Sequence, residues 1–208
     1  MKWFYNIKIG TKMLVGAVVV ALFSCLLGLT GLLNISLINR ESTKMYQNVA
    51  APMSDLNNFS SSFQRIHVVI RNIVTANDFE IIESHENEIK LLLKQTDNFS
   101  DEYEKHINQS SEEIKKSFAT YKTVREEYNN YLNQIVVLAK ENKDSQALLL
   151  LENDMAKLEN DAMAQINNLI SLTAKEADVL LQNNLSTSKK AFFQMGLFIL
   201  ICFILSFA

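Results

Sequence analysis

Gln64, His67 and Arg71 are spaced i, i+3 and i+7, so on a helix they share one face, with Arg65 on the other flank of Ile66. A guanidinium on a rigid helix can hold a carboxylate through two parallel hydrogen bonds, which makes Arg65, His67 and Arg71 the candidate ligand-binding residues for a small anion. Asn153, Asp154 and Lys157, at similar height on a returning helix, are placed to close such a pocket. The competing arrangement is a solvated face, with Arg71 paired to Glu80 or Glu83 across a turn. Tyr121, Tyr128 and Tyr131 read as packing rather than as a ligand cage.

Metal chemistry is rejected by spacing. His85-Glu86-Asn87-Glu88 begins like a zinc-protease helix, but Ile89 stands where the second histidine is needed. A di-iron bundle needs Glu three residues before His, and Gln64, Ile82 and Tyr103 hold those places. His85 and His106 fall instead on an apolar seam. No glycine-rich phosphate loop and no nucleophile with a base at recognisable spacing is present. The chain reads as a non-enzyme with no cofactor.

The elements that carry these residues are long helices. Five glycines and one proline in 208 residues leave little turn chemistry, which strands need and helices do not. Apolar residues recur at steps of three and four in four runs. The first is Met53, Leu56, Phe59 or Ser60, Phe63, Ile66, Ile70 and Ile73. The second is Ile82, His85, Ile89, Leu92, Thr96, Phe99, Tyr103 and His106. The third is Ile114, Phe118, Tyr121, Val124, Tyr128, Leu132, Ile135 and Leu138. The fourth is Leu151, Met155, Leu158, Ala162, Ile166 and Leu169. Start signals separate them: Asp78 as an N-cap, Ser110 and Glu113 at capping-box spacing, and Asp144 or Ser145 as a third cap. Short connections force neighbours antiparallel, so the expected fold is all-α, an up-down-up-down four-helix bundle. The outer helices, near 33–74 and 145–190, exceed the inner pair in length, which predicts a two-helix stalk below the bundle. Pro52 should kink the first helix where stalk meets bundle.

Charge divides the chain as sharply as periodicity does. From Met13 to Ile38 and from Ala191 to Ala208 there is no charged residue, whereas all 23 acids lie between Glu41 and Asp178. At ~1.5 Å per residue each apolar run approaches the ~30 Å of a bilayer core. Lys2, Lys8 and Lys12, beside Trp3, Phe4 and Tyr5, place the N-terminus in the cytoplasm by the positive-inside rule. Lys189 and Lys190 on the outer flank of the second run conflict with that rule. A cleaved signal peptide, the rival for the first run, has a shorter apolar region of ~7–15 residues. The expected organisation is a cytoplasmic segment 1–12, a transmembrane helix 13–34, an extracytoplasmic sensor bundle 35–190 and a second transmembrane helix 191–208. Cys25 and Cys202 fall in the apolar runs, so the exposed part has no disulfide framework. The acidic insert argues against nucleic acid as a partner; membrane lipid is the partner that the two runs require.

The opening Met1-Lys2-Trp3-Phe4-Tyr5-Asn6-Ile7-Lys8-Ile9-Gly10-Thr11-Lys12, the Ala51-Pro52 step and the run Phe63-Gln64-Arg65-Ile66 resemble methyl-accepting chemotaxis receptors with a four-helix-bundle sensor. The resemblance implies a bacterial plasma-membrane homodimer that binds a small organic or amino acid, or a ligand-binding protein, and signals by an axial movement of the second span. It implies basic ligand contacts at Arg65 and Arg71, with His67 where an arginine is common. No HAMP module, methylation region or signalling tip follows Ala208, so this polypeptide alone is not expected to control a kinase. The same bundle serving a histidine kinase or a nucleotide cyclase, and a non-signalling membrane-anchored adaptor, are the rival readings.

Overall fold

The computed structural model describes residues 8–207, and every regular element among them is helical. α1 spans Ile9–Met45 and passes through a π-turn, Tyr46–Ala50, into α2, Ala51–Thr75. α3 spans Phe79–His106 and closes in a 3-10 turn, Ile107–Gln109. α4 spans Glu112–Lys140, and α5, Asp144–Leu150, leads through a second π-turn, Leu151–Met155, into α6, Ala156–Phe207. Met45–Asp178 form one unit; the residues up to Lys44 and from Val179 onward form another.

Within Met45–Asp178 the four expected helices pack as a four-helix bundle. Both π-turns have a cause in the sequence. Pro52 lacks an N–H and its ring would collide with the carbonyl of Asn48 four residues back, so the helix widens just before it and the Ala51 N–H bonds to Tyr46 O. At the place of the expected kink the helix widens locally, with Pro52 in the first turn of α2. In the return helix Ala147, Leu151 and Met155 are all buried at two successive steps of four. Those eight residues overrun two α-turns of ~7.2 residues, and the π-turn absorbs the excess.

The core holds the expected seams, with three shifts. Phe59, not Ser60, is fully buried, and Met53 is only half-buried. On α3 the fully buried position is Ser100, with Phe99 half-buried. On α4 the seam reads Ile114, Phe118, Tyr121, Arg125, Tyr128, Leu132, Ile135 and Ala139, a strict alternation of four and three. Arg125 takes the place expected for Val124 because its apolar stem packs like a hydrophobe while its head finds a carboxylate. Six aromatic rings fill the middle. Phe59 meets Tyr103 edge-on at 5.7 Å and Tyr121 at 5.5 Å, Phe63 lies 4.5 Å from Tyr128, and Tyr103 lies 4.9 Å from Phe118. Tyr121 and Tyr128 are thus core residues, and Tyr131 packs against the core half-buried.

The helix ends show where local chemistry departs from expectation. Asp78 caps α3 as its spacing predicts, accepting from Glu80 N at 2.9 Å. At α4 the cap is Ser111 rather than Ser110, so Glu113 is out of register for a capping box. Glu176 of α6 replaces it and accepts from the Ser111 N–H at 2.8 Å. Before α5 neither Asp144 nor Ser145 is the cap; Lys143 holds that position without a side-chain bond. The turn there is built from the other side. Asn142 adopts φ 58°, its N–H bonds to Ala139 O at 3.0 Å, and the Lys143 N–H bonds to Leu138 O at 2.9 Å, a Schellman closure. Asn142→Val is expected to cost about 1–2 kcal/mol, and Asn142→Gly to cost nothing, because only the β-branched residue resists the left-handed region. Chemical unfolding of the full chain followed by circular dichroism checks this; equal midpoints for Val and Gly would contradict it.

In the other unit, α1 has no buried residue. Its apolar stretch is the one segment among the described residues long and apolar enough to cross a membrane, with mean hydropathy 2.5 and none of it buried. Two of its polar side chains are satisfied on its own backbone: Ser24 Oγ donates to Val20 O at 2.9 Å and Thr30 Oγ1 to Leu27 O at 3.0 Å. A helix in lipid requires that. The second expected span, 191–208, runs into positions outside the described residues, among them Ala208 and the side chain of Cys202.

Candidate functional site

The bundle draws two of the three expected ligand residues to different neighbours and leaves the third exposed. Arg65 is exposed on α2 and reaches α3, where its Nη2 and Nε donate to Glu88 Oε1 at 2.8 and 3.2 Å. That hydrogen bond holds the Glu88 carboxyl below the usual carboxylate range. His67 turns toward α6, with Nδ1 2.7 Å from Glu159 Oε2, close as an ion pair but off-line as a hydrogen bond. Arg71 is exposed one turn further along and makes no ion pair among the described residues, with Glu80 and Glu83 included. Gln64 donates to Ser60 Oγ at 3.4 Å on its own helix. On the return helix Asn153 is exposed and donates to Leu149 O of its own backbone at 2.9 Å, and Asp154 and Lys157 are exposed as well.

The other two histidines are half-buried, as their seam positions suggest. His85 Nδ1 lies 3.6 Å from Glu88 Oε2, and His106 Nε2 lies 3.8 Å from Asp55 Oδ2. Burial raises the Asp55 carboxyl, His106 opposes that rise and Glu102 adds to it. No cluster of three or more metal-ligating side chains occurs among the described residues.

The face between α3 and α4 is the richest in polar chemistry and was missed by periodicity. Three ion pairs stitch it: Lys140 to Glu86, Arg125 to Asp97, and Lys122 to Glu104 at 3.1 Å. Hydrogen bonds from Lys140 and Lys90 hold the Glu86 carboxyl low. Clefts of about 150, 210 and 430 Å³ open along this face. Behind it the buried phenols lose water, which pushes Tyr121 up to about 12 and raises Tyr103 and Tyr128 as well, so all three remain neutral. The signal that reveals this face is a single residue: Arg125 stands between Tyr121 and Tyr128 at seam spacing, a charge where the alternation demands a hydrophobe.

Neither the curated proteins nor the solved structures yield a match to this chain. A family described as a four helix bundle sensory module for signal transduction matches residues 6–188, which takes in both α1 and the whole bundle. Such a module senses and transmits rather than catalyses. The chain belongs to this family of four-helix-bundle sensory modules.

Proposed function

We propose that this chain is the ligand-sensing input and transmembrane signalling module of a bacterial chemotaxis receptor. The observation that supports it most is the family match from 6 to 188, because the matched stretch includes an unburied apolar helix as well as a sensor bundle. In this reading α1 is an uncleaved anchor with a cytoplasmic N-terminus, residues 35–190 are extracytoplasmic, and residues 191–208 return to the cytoplasm in the plasma membrane. Two copies pair, and ligand binding favours one of two close helix packings. The bias cannot exceed the difference in ligand affinity between those packings.

The ligand is a small organic or amino acid, or a protein that carries one, held through Arg65, His67 and Arg71. Arg71 offers an exposed guanidinium with no competing ion pair among the described residues. Arg65 takes part by exchanging Glu88 for the ligand carboxylate, and His67 by turning from Glu159. Calorimetry of the full chain in lipid nanodiscs against a panel of small dicarboxylates tests this. Arg71→Ala should weaken the best ligand about tenfold or more, the scale of a hydrogen bond to a charged group. Unchanged affinity in Arg71→Ala and Arg65→Ala would remove these residues from the site.

A further inference from the structure

We infer that the cleft between α3 and α4 at Arg125 is a second binding site, one for a free α-amino acid, in which Asp97 stands in for the ligand's carboxylate. The cleft measures about 210 Å³, and Asp97, Asp101, Lys122, Arg125, Glu126 and Asn129 are among the residues that line it. Its central feature is an asymmetric ion pair. The Arg125 side chain is 10% exposed, whereas its partner Asp97 is 64% exposed. A guanidinium at a core seam must keep an anion, but nothing fixes that anion to be Asp97, which is restrained by this one contact and is well solvated when released. A ligand carboxylate that takes its place leaves the buried charge paired after the exchange as it was before. The planar fork of Arg125, five N–H donors with one bond to Asp97, suits a carboxylate's two oxygens.

The rest of the cleft is rich in acceptors. Asn129 Oδ1 is buried without a hydrogen-bond partner, and the exposed carboxylates of Asp101 and Glu126 make no ion pair among the described residues. Lys122 is already committed to Glu104 at 3.1 Å. One buried cation beside three unused acceptors matches a molecule with a carboxylate and an ammonium, and fits a plain acid or a plain amine less well. The neighbouring cleft, about 430 Å³, shares Lys122 and Glu126 and adds Ile107, Phe118 and Ala119, an apolar shelf for the amino acid's side chain. This site lies on helices other than α2 and does not depend on Arg71.

The test is calorimetry of the full chain in nanodiscs with L-leucine, with isovalerate and isoamylamine as arms that each lack one charge. L-leucine should bind saturably and each single-charge arm about tenfold or more weakly. Asp97→Asn removes the stand-in and should tighten leucine binding several-fold, an effect that a purely structural ion pair would not produce. Arg125→Lys, which keeps the charge but not the fork, should weaken it about tenfold. All leucine titrations are made in an Arg71→Ala background, so that the site on α2 does not contribute to the binding measured. Absence of saturable leucine binding both with and without Asp97→Asn, or equal binding of either single-charge arm, overturns the proposal. So does an affinity that ignores Arg125→Lys, or one that falls in Asp97→Asn.

Discussion

Truncating Phe59 to alanine is expected to lower the stability of the bundle by about 3–5 kcal/mol, among the largest losses for any single core truncation here. Phe59 has no exposed surface and touches the rings of Tyr103, Tyr121 and Phe118 at centroid distances of 5.7, 5.5 and 6.5 Å. It therefore joins three helices, α2, α3 and α4, at one point. Removing it takes away both its own burial and the edge-on contact that positions Tyr103. The cavity is expected to stay largely open, because the rings that line it, Tyr103, Tyr121 and Phe118, are rigid and are themselves packed in the core. Urea unfolding of the full chain in detergent, read by circular dichroism at the bundle transition, measures the loss. Val137→Ala on the exposed face of α4 is the control and should move the midpoint by no more than about 0.5 kcal/mol. A Phe59→Ala midpoint equal to that control would mean that the aromatic cluster is not the centre of the fold.

The second large effect concerns α1. Placing an arginine at Leu22, near the centre of its apolar stretch and 60% exposed, is expected to oppose membrane insertion by about 2.5–3.5 kcal/mol. The cleanest readout is alkaline phosphatase fused after Asp178, where α1 is the one strongly apolar run left to export the enzyme. Native α1 should give high activity in intact cells, Leu22→Ala nearly the same, and Leu22→Arg a drop of roughly a hundredfold in the insertion equilibrium. Equal activity in all three fusions would show that α1 is not what carries the bundle across.

Periodicity alone placed all four bundle helices, because an apolar residue every three or four positions has one way to be buried on a helix. It also found the fourth seam, Leu151 to Leu169, residue for residue. What it could not see depended on partners distant in sequence. Glu176 reaches Ser111 across 65 positions, so the start of α4 could not be assigned from local capping rules. Local pattern favours Val124 over Arg125 at this seam position, because the burial of Arg125 depends on Asp97, which stands on another helix. The π-turns were hidden for a different reason. They follow from one clash, at Pro52, and one pair of overlong steps, Ala147 to Met155, both of which also read as an ordinary kinked or drifting helix.

The same limit applies to function. The spacing of Gln64, His67 and Arg71 correctly put them on one helix, but a helix in a bundle has two flanking neighbours. Glu88 on one and Glu159 on the other draw Arg65 and His67 apart. A face shared in sequence is therefore not yet a pocket. The α3–α4 cleft, by contrast, is assembled from polar residues of two helices, and their juxtaposition depends on the register between those helices.

A bundle standing outside the cell with its two ends rooted in lipid, as proposed, is open to reagents that do not cross the membrane, and one labelling experiment tests that directly. With Cys25 and Cys202 replaced by alanine, a single cysteine at exposed Ser84 on α3 is offered to a membrane-impermeant maleimide. Labelling in intact spheroplasts, equal to that after lysis, is the predicted result. Labelling that appears only once the membrane is broken would put the sensor in the cytosol and contradict the account.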